Sequence, residues 1–256
     1  MNTMKNKRLY LLILLSVFLL SVTAAGAQDI PGFRSRIYSS YAKGDMSDWK
    51  NVITEMEKLH EEAGSSELLH ELLMARYGYI GFCINENKKR EASRHLDKAQ
   101  KNLEILLAGK PGNATLMALE GALMGYEMGL NKLKAVVIGP KAKEKIDAAV
   151  EKDPEAIRTL LEKGNQLNFS PKLVGGDTEK AIDYYNRAIK KIESRPAELK
   201  NNWVYVNSLV VLAAAYEKTD NYDPACRIYE KIMDYDPGIK WVKNDLYPTC
   251  REKIRE

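Results

Sequence analysis

The sequence predicts an all-α fold built as a stack of antiparallel helix pairs, and three observations carry that prediction. Apolar residues recur at helical spacing along most of the chain. The nearest thing to a strand, Lys134 to Ile138, is too short to compete. A pattern of small and large residues recurs at Ala92-x-x-x-Leu96-x-x-Ala99, Ala142-x-x-x-Ile146-x-x-Ala149, Ala181-x-x-x-Tyr185-x-x-Ala188 and Ala225-x-x-x-Tyr229-x-x-Ile232. Small residues at one phase let a neighbouring helix approach closely, and the large ones fill the seam. Asp153-Pro154, Asp223-Pro224 and Asp236-Pro237 each offer a capping Asp before a Pro suited to the first helical position.

The elements follow in order. Lys5, Lys7 and Arg8 precede an apolar run from Leu9 to Leu20, and Ala25-Gly26-Ala27 closes it. A charged, then apolar, then small-residue order marks residues 1–27 as a secretory signal peptide, with the exported chain starting at Gln28. Residues 28–256 then form one helical-repeat domain. Its first unit is a degenerate hairpin over residues 31–62. Phe33, Ile37 and Tyr41 share one helical face, Gly44-Asp45 breaks the run, and Ser47 can cap a second helix bearing Trp49, Val52, Ile53 and Met56. Repeats fill residues 67–237, and residues 239–256, with Trp241, Leu246 and Tyr247, cap the last apolar face.

The stretch Leu209-x-x-Leu212-Ala213-x-x-Tyr216, then Ala225-x-x-x-Tyr229-x-x-Ile232, then Pro237, resembles the tetratricopeptide repeat, a helix–turn–helix unit of about 34 residues. Gly164 and Gly121 take the small first-helix position in the two preceding repeats. Gly78 and Gly81 compete for it in the first. Twelve residues separate Ala213 from Ala225, but 17 separate Gly164 from Ala181 and 21 separate Gly121 from Ala142. Such insertions fall in the turns, on one edge of a stack. The Pro171 to Asp177 turn is similar to one in secreted bacterial proteins of this family.

The resemblance implies a right-handed superhelical solenoid whose first helices line a concave groove. Carried onto this sequence, the groove positions are Asn207, Val210, Ala214 and Glu217 in the last repeat, and Arg158, Leu161, Asn165 and Asn168 in the one before. Thr115, Ala118, Ala122 and Gly125 follow in the second. The expected site is thus Arg158, Leu161, Asn165, Asn168, Asn207, Val210 and Glu217. Amide and guanidinium groups on one face suit a peptide backbone or a carboxylate. A second reading of Asn165 and Asn168 is that they cap or solvate the end of their helix before Pro171.

Composition narrows the function. The chain has 39 basic and 35 acidic residues, and three of the basic ones lie within residues 1–27. The remainder is close to neutral with mixed signs, which gives nucleic-acid binding no support. Of three cysteines, Cys83 lies among Tyr79, Ile80 and Phe82 as a buried small residue. Cys226 and Cys250 fall on neighbouring helices where a disulfide could form. His60, His70 and His95 are scattered, and His70-Glu71 lacks the second His of a zinc protease because position 74 is Met. Neither Gly109-Lys110-Pro111-Gly112 nor Gly175-Gly176-Asp177 has the form of a phosphate loop. No catalytic residue, metal or cofactor is expected. The reading is an exported, periplasmic or extracellular, non-enzymatic scaffold for a peptide or partner protein, with no stable membrane anchor once the signal is removed. The alternative is an extracytoplasmic small-ligand-binding accessory protein of a transport system.

Overall fold

The structure, a computed structural model, describes residues 30–255; the signal peptide assigned to residues 1–27 lies outside them. The order is α1 (residues 30–43), α2 (Ser47–Ala63), α3 (Ser66–Asn85), α4 (Lys89–Gly109), α5 (Ala114–Leu130), α6 (Ala135–Lys152), α7 (Ile157–Phe169), α8 (Thr178–Glu193), α9 (Trp203–Glu217), α10 (Tyr222–Tyr235) and α11 (Tyr247–Arg255). Short 3-10 turns precede α6, α8 and α9, and a π turn at Val242–Leu246 leads into α11. No strand occurs among the described residues. Consecutive helices pack as antiparallel neighbours, and α3/α4, α5/α6, α7/α8 and α9/α10 are the four repeat pairs. Lys145 reaches Glu120 at 3.0 Å and Lys163 reaches Asp147 at 2.5 Å, tying α6 to the helices on either side of it.

The small residues make the close contacts their phase implies. A Cβ on Gly121 would lie 2.5 Å from Ile146 Cγ1 and 2.8 Å from the Ala142 carbonyl oxygen, and one on Gly164 would lie 2.6 Å from the Tyr185 ring. Ala142, Ala149, Ala181, Ala188, Ala213 and Ala225 are all buried. Gly78 and Gly81 both face other elements than their partner helix α4. The first lies against Trp49 and Trp203, the second against the Tyr126 hydroxyl.

Helix ends differ from the sequence expectation. None of the Asp-Pro pairs opens a helix with Pro at its first position. Asp153 and Asp236 terminate α6 and α10, and their carboxylates accept from the backbone N–H of Glu155 and Gly238. Pro224 sits inside the first turn of α10, after Asp223. Ser47 does not cap α2; it is the first helical residue, and its N–H donates to Asp45 Oδ1. Besides Asp45, the side chains that accept from helix N-termini are Ser65, Asn113, Asp177 and Asn202. Each satisfies a backbone donor that the helix itself cannot.

Helix α1 has two apolar stripes. Ile30, Phe33 and Ile37 join a core cluster with α2 to α5, whereas Tyr38 and Ala42 join a second cluster built from α7 to α11. It therefore bridges the first hairpin and the last repeat. The Tyr38 hydroxyl donates to Asp236 Oδ2 at 2.6 Å, and Trp241 Nε1 donates to the Tyr41 carbonyl at 3.1 Å. All three tryptophans, Trp49, Trp203 and Trp241, surround the Tyr41 ring at centroid distances of 5.7–6.3 Å. The Cys226–Cys250 disulfide forms, with a Cα separation of 5.8 Å, and fastens α11 to α10.

Candidate functional site

Helices α7 and α9 bring Arg158, Leu161, Asn165 and Asn207 around one small cavity. Tyr77, Tyr185, Trp203, Val204, Ser208 and Val211 complete its wall. Asn168, Val210 and Glu217 are not part of this set. Asn168 is buried, and its backbone and side-chain oxygens accept from Lys218 Nζ at the end of α9. Glu217 turns toward Tyr229 on α10, and burial raises its pKa above the ordinary carboxylate value. Val210 is partly buried against the C-terminal core cluster. Leu161 is 4% exposed, a wall of the cavity more than a contact surface.

The polar residues are tied to one another. Glu162, one turn after Arg158, is only 1% exposed. Its carboxylate accepts from Arg158 Nη1 at 3.0 Å, from the Tyr77 hydroxyl at 3.1 Å and from Asn165 Nδ2 at 2.9 Å. Asn165 Oδ1 in turn accepts from the Tyr185 hydroxyl at 2.9 Å. The Arg158 guanidinium lies over the Tyr77 ring at 5.3 Å, and Tyr126 packs against Tyr77 at 5.1 Å. A carboxylate this buried is tolerable only with a paired cation and its remaining lone pairs satisfied. Burial, with Glu162 nearby, drives the pKa of Tyr77 well above that of a free phenol, so it donates a hydrogen bond and does not ionise. Tyr126 and Tyr185 are raised for the same two reasons. The network therefore locks α3, α5, α7 and α8 together. It leaves Asn165 committed to internal bonds rather than open to a peptide.

Sequence reasoning placed Arg158 and Asn165 on one face but missed Glu162, Tyr77 and Tyr126. The i, i+4 spacing of Arg158 and Glu162 was available as a signal. Tyr77 and Tyr126 lie on first helices where no repeat position singled them out. Asn207 remains at the mouth, where its Oδ1 accepts from the Tyr41 hydroxyl at 3.1 Å.

The cavity holds about 20 Å³, room for roughly one water and far below the ~300–1,000 Å³ of ordinary small-molecule pockets. Among the described residues no three His, Cys, Asp or Glu side chains gather as a metal site, and no helix is long and apolar enough to cross a membrane. Cys83 is buried, which pushes its thiol pKa up to about 11.

Comparison with known proteins agrees with this architecture. No curated protein sequence matches the chain. The structure is similar to that of the HusA haemophore from Porphyromonas gingivalis, with a TM-score of 0.58 and 13% identity over 73% of this chain and 92% of that one. A looser match, TM-score 0.36 and 18% identity over 69% of this chain and 88% of the other, is to the MamA protein. Residues 208–238 match the tetratricopeptide repeat family. That segment spans α9 and α10, and the preceding helix pairs repeat its helix–turn–helix architecture, so the fold is that of a tetratricopeptide-like helical repeat.

Proposed function

We propose that this protein is an exported, non-enzymatic scaffold that binds a partner protein or peptide across the mouth formed by Arg158, Asn207 and the α9 residues beside them. Helical-repeat surfaces of this kind are generally binding surfaces. The observation that carries the reading is the size of the central cavity, about 20 Å³, which leaves no room to enclose a small molecule. A partner at this mouth must therefore lie over the surface. Export rests on the signal-like order of residues 1–27, and intact mass of the exported chain tests it: a mass that retains those residues overturns it.

The resemblance in fold to a haemophore makes haem the small-molecule probe to use. A partner captured from envelope extracts by photo-crosslinking at position 211, beside the mouth, should bind the purified chain directly. Asn207→Ala should weaken that binding by about 0.5–1.5 kcal/mol, the worth of one hydrogen bond. Lys101→Ala with Lys190→Ala, on the exposed faces of α4 and α8, should leave it unchanged. Loss of binding in the lysine pair with none in Asn207→Ala would put the partner on the outer face. Tight, saturable, one-site titration by haemin would favour the small-ligand reading instead.

A further inference from the structure

Among the described residues, the most exposed large apolar side chains are gathered in and beside the two inserted turns, outside the mouth described above. Leu133 is 89% exposed in the turn between α5 and α6, Val136 is 84% exposed in the first turn of α6, and Leu173 is 99% exposed in the turn between α7 and α8. Val137 and Phe169 beside them are also exposed. Folding buries apolar surface wherever it can, so five such side chains left out in the turns and the helix ends beside them ask for an occupant.

Geometry puts both turns on one edge of the stack. Helices α5 and α7 are first helices of consecutive pairs, pack side by side and run parallel, because α6 lies antiparallel to both. Their C-terminal ends, Leu130 and Phe169, therefore point the same way. The insertions are rigidly built. Asn131 Oδ1 accepts from the Leu133 N–H at 3.1 Å. The Asp177 N–H donates to the Leu167 carbonyl at 2.9 Å, and a Cβ on Gly176 would lie 1.9 Å from the Ser170 carbonyl oxygen.

Charge is one-sided here. Residues 128–143 contain Lys132, Lys134, Lys141 and Lys143 and no acidic residue; residues 164–176 contain Lys172 and no acidic residue. Lys134 and Lys143 are paired with Glu127 and Asp147 on neighbouring helical turns. Among the described residues, neither Lys132 nor Lys172 has an ion-pair partner. Each sits directly beside an exposed leucine. Protruding aliphatic tips alternating with lysines, on an edge where the one acidic turn residue, Asp177, is paired with Lys180, match the two requirements of an anionic bilayer surface: apolar groups for the acyl boundary and cations for the headgroups. Lysine stems can lie along the apolar tips while their ammonium groups stay at headgroup level.

We propose that this edge docks reversibly on an anionic lipid surface, with Leu133, Val136 and Leu173 entering the interface and Lys132 and Lys172 at the phosphates. The stack then lies edge-on to the membrane, and the mouth stays free for the partner.

The test uses the exported full chain with vesicles of phosphatidylcholine alone or mixed with phosphatidylglycerol. Co-sedimentation should require phosphatidylglycerol and weaken with added salt. Lys132→Glu with Lys172→Glu should lower partitioning by at least roughly tenfold, from about 1 kcal/mol per cation near the surface. Leu133→Ser with Leu173→Ser should lower it comparably. All four side chains are exposed, so the melting temperature should not move. Hydrogen exchange gives a local readout: amides in 132–139 and 171–176 should slow on vesicle addition while those of the α9–α10 turn do not. Equal binding to both vesicle types, no change in the variants, or protection elsewhere overturns the proposal. A protein crosslinked through position 173, with binding lost in Leu173→Ser and no vesicle binding by the wild type, overturns it in favour of a protein interface.

Discussion

Glycine marks the tightest points of the molecule, and two glycines on one helix separate packing from propensity. Gly121 and Gly125 both lie within α5. A methyl on Gly121 meets a side chain at 2.5 Å and a backbone oxygen at 2.8 Å, and the oxygen cannot move without shifting α6. A methyl on Gly125 meets nothing within 4 Å. Gly121→Ala should therefore destabilise by about 1–3 kcal/mol through overpacking. Gly125→Ala should stabilise by roughly 0.5–1 kcal/mol through the lower conformational entropy of its unfolded chain and its higher helix propensity. Denaturant melts of the pair read both signs; the same sign at both sites would contradict the helix register. The Gly121 contact was legible from the repeat phase. The Arg158–Glu162–Asn165 arrangement was legible only in outline, because a side chain's partners across three other helices leave no trace in local spacing. Carrying over groove positions one helix at a time made Asn165 look free, when Tyr185 and Glu162 hold it on both sides.

At the scale of the helix pair, α3 and α4 enclose His95 in a way that sets an acid limit. His95 packs edge-on against Tyr79 at 4.9 Å, and its Nδ1 is buried without a hydrogen-bond partner. Burial lowers its pKa from 6.5 to about 4; the charges of Arg76, Lys50 and Lys98 add to this, and Glu91 opposes it. The unfolded chain thus takes up this proton near pH 6.5 and the folded chain only near pH 4. Stability from the neutral imidazole is complete above pH 6.5 and is lost as pH falls toward 4. The ring is partly exposed, so the loss should be on the order of 1 kcal/mol once solvent screening is allowed for. Burial lowers the His70 pKa in the same direction, and Arg158, Lys110 and Arg34 add to it against Glu71. Unfolding free energy measured across that window should fall, and His95→Gln should flatten the slope. An unchanged slope in the variant would assign the acid sensitivity elsewhere.

Helix α10 and its cap give a second test at this scale. The disulfide closes a loop with a sequence separation of 24, so reduction should cost about 2–4 kcal/mol. Buried Cys83 should stay unalkylated in the native protein, and peptide mass mapping reads both thiol states. A native chain alkylated at three cysteines would show the cap to be unfastened. Proximity of these two cysteines on neighbouring helices was legible in the sequence. Whether the side chains met depended on the π turn at Val242–Leu246, which re-aims α11 and which no propensity rule foretells.

For the whole molecule, the unexpected feature is closure. An open stack of repeats contacts only its neighbours, so its ends unfold independently of one another. Here α1 belongs to both core clusters, and Trp203 from the last repeat reaches Trp49 from the first hairpin at 5.1 Å over Gly78. The helical content and the repeat register were readable because they are periodic along the chain. The closure was not, because Tyr38 meets Asp236 across 198 positions, and no period links them. Its consequence is mechanical as well as thermodynamic. With α1 and the tryptophan cluster bracing the inner face, the mouth at Asn207 is held in one geometry rather than breathing with the stack. Trp203→Ala should cost about 3 kcal/mol by leaving a cavity against both clusters. Hydrogen exchange should then quicken in α2–α3 and α9–α10 alike, while α5–α6, remote from the cluster, changes least. Quickening confined to α9–α10 would mean that the ends do not support one another and that the chain behaves as an open solenoid.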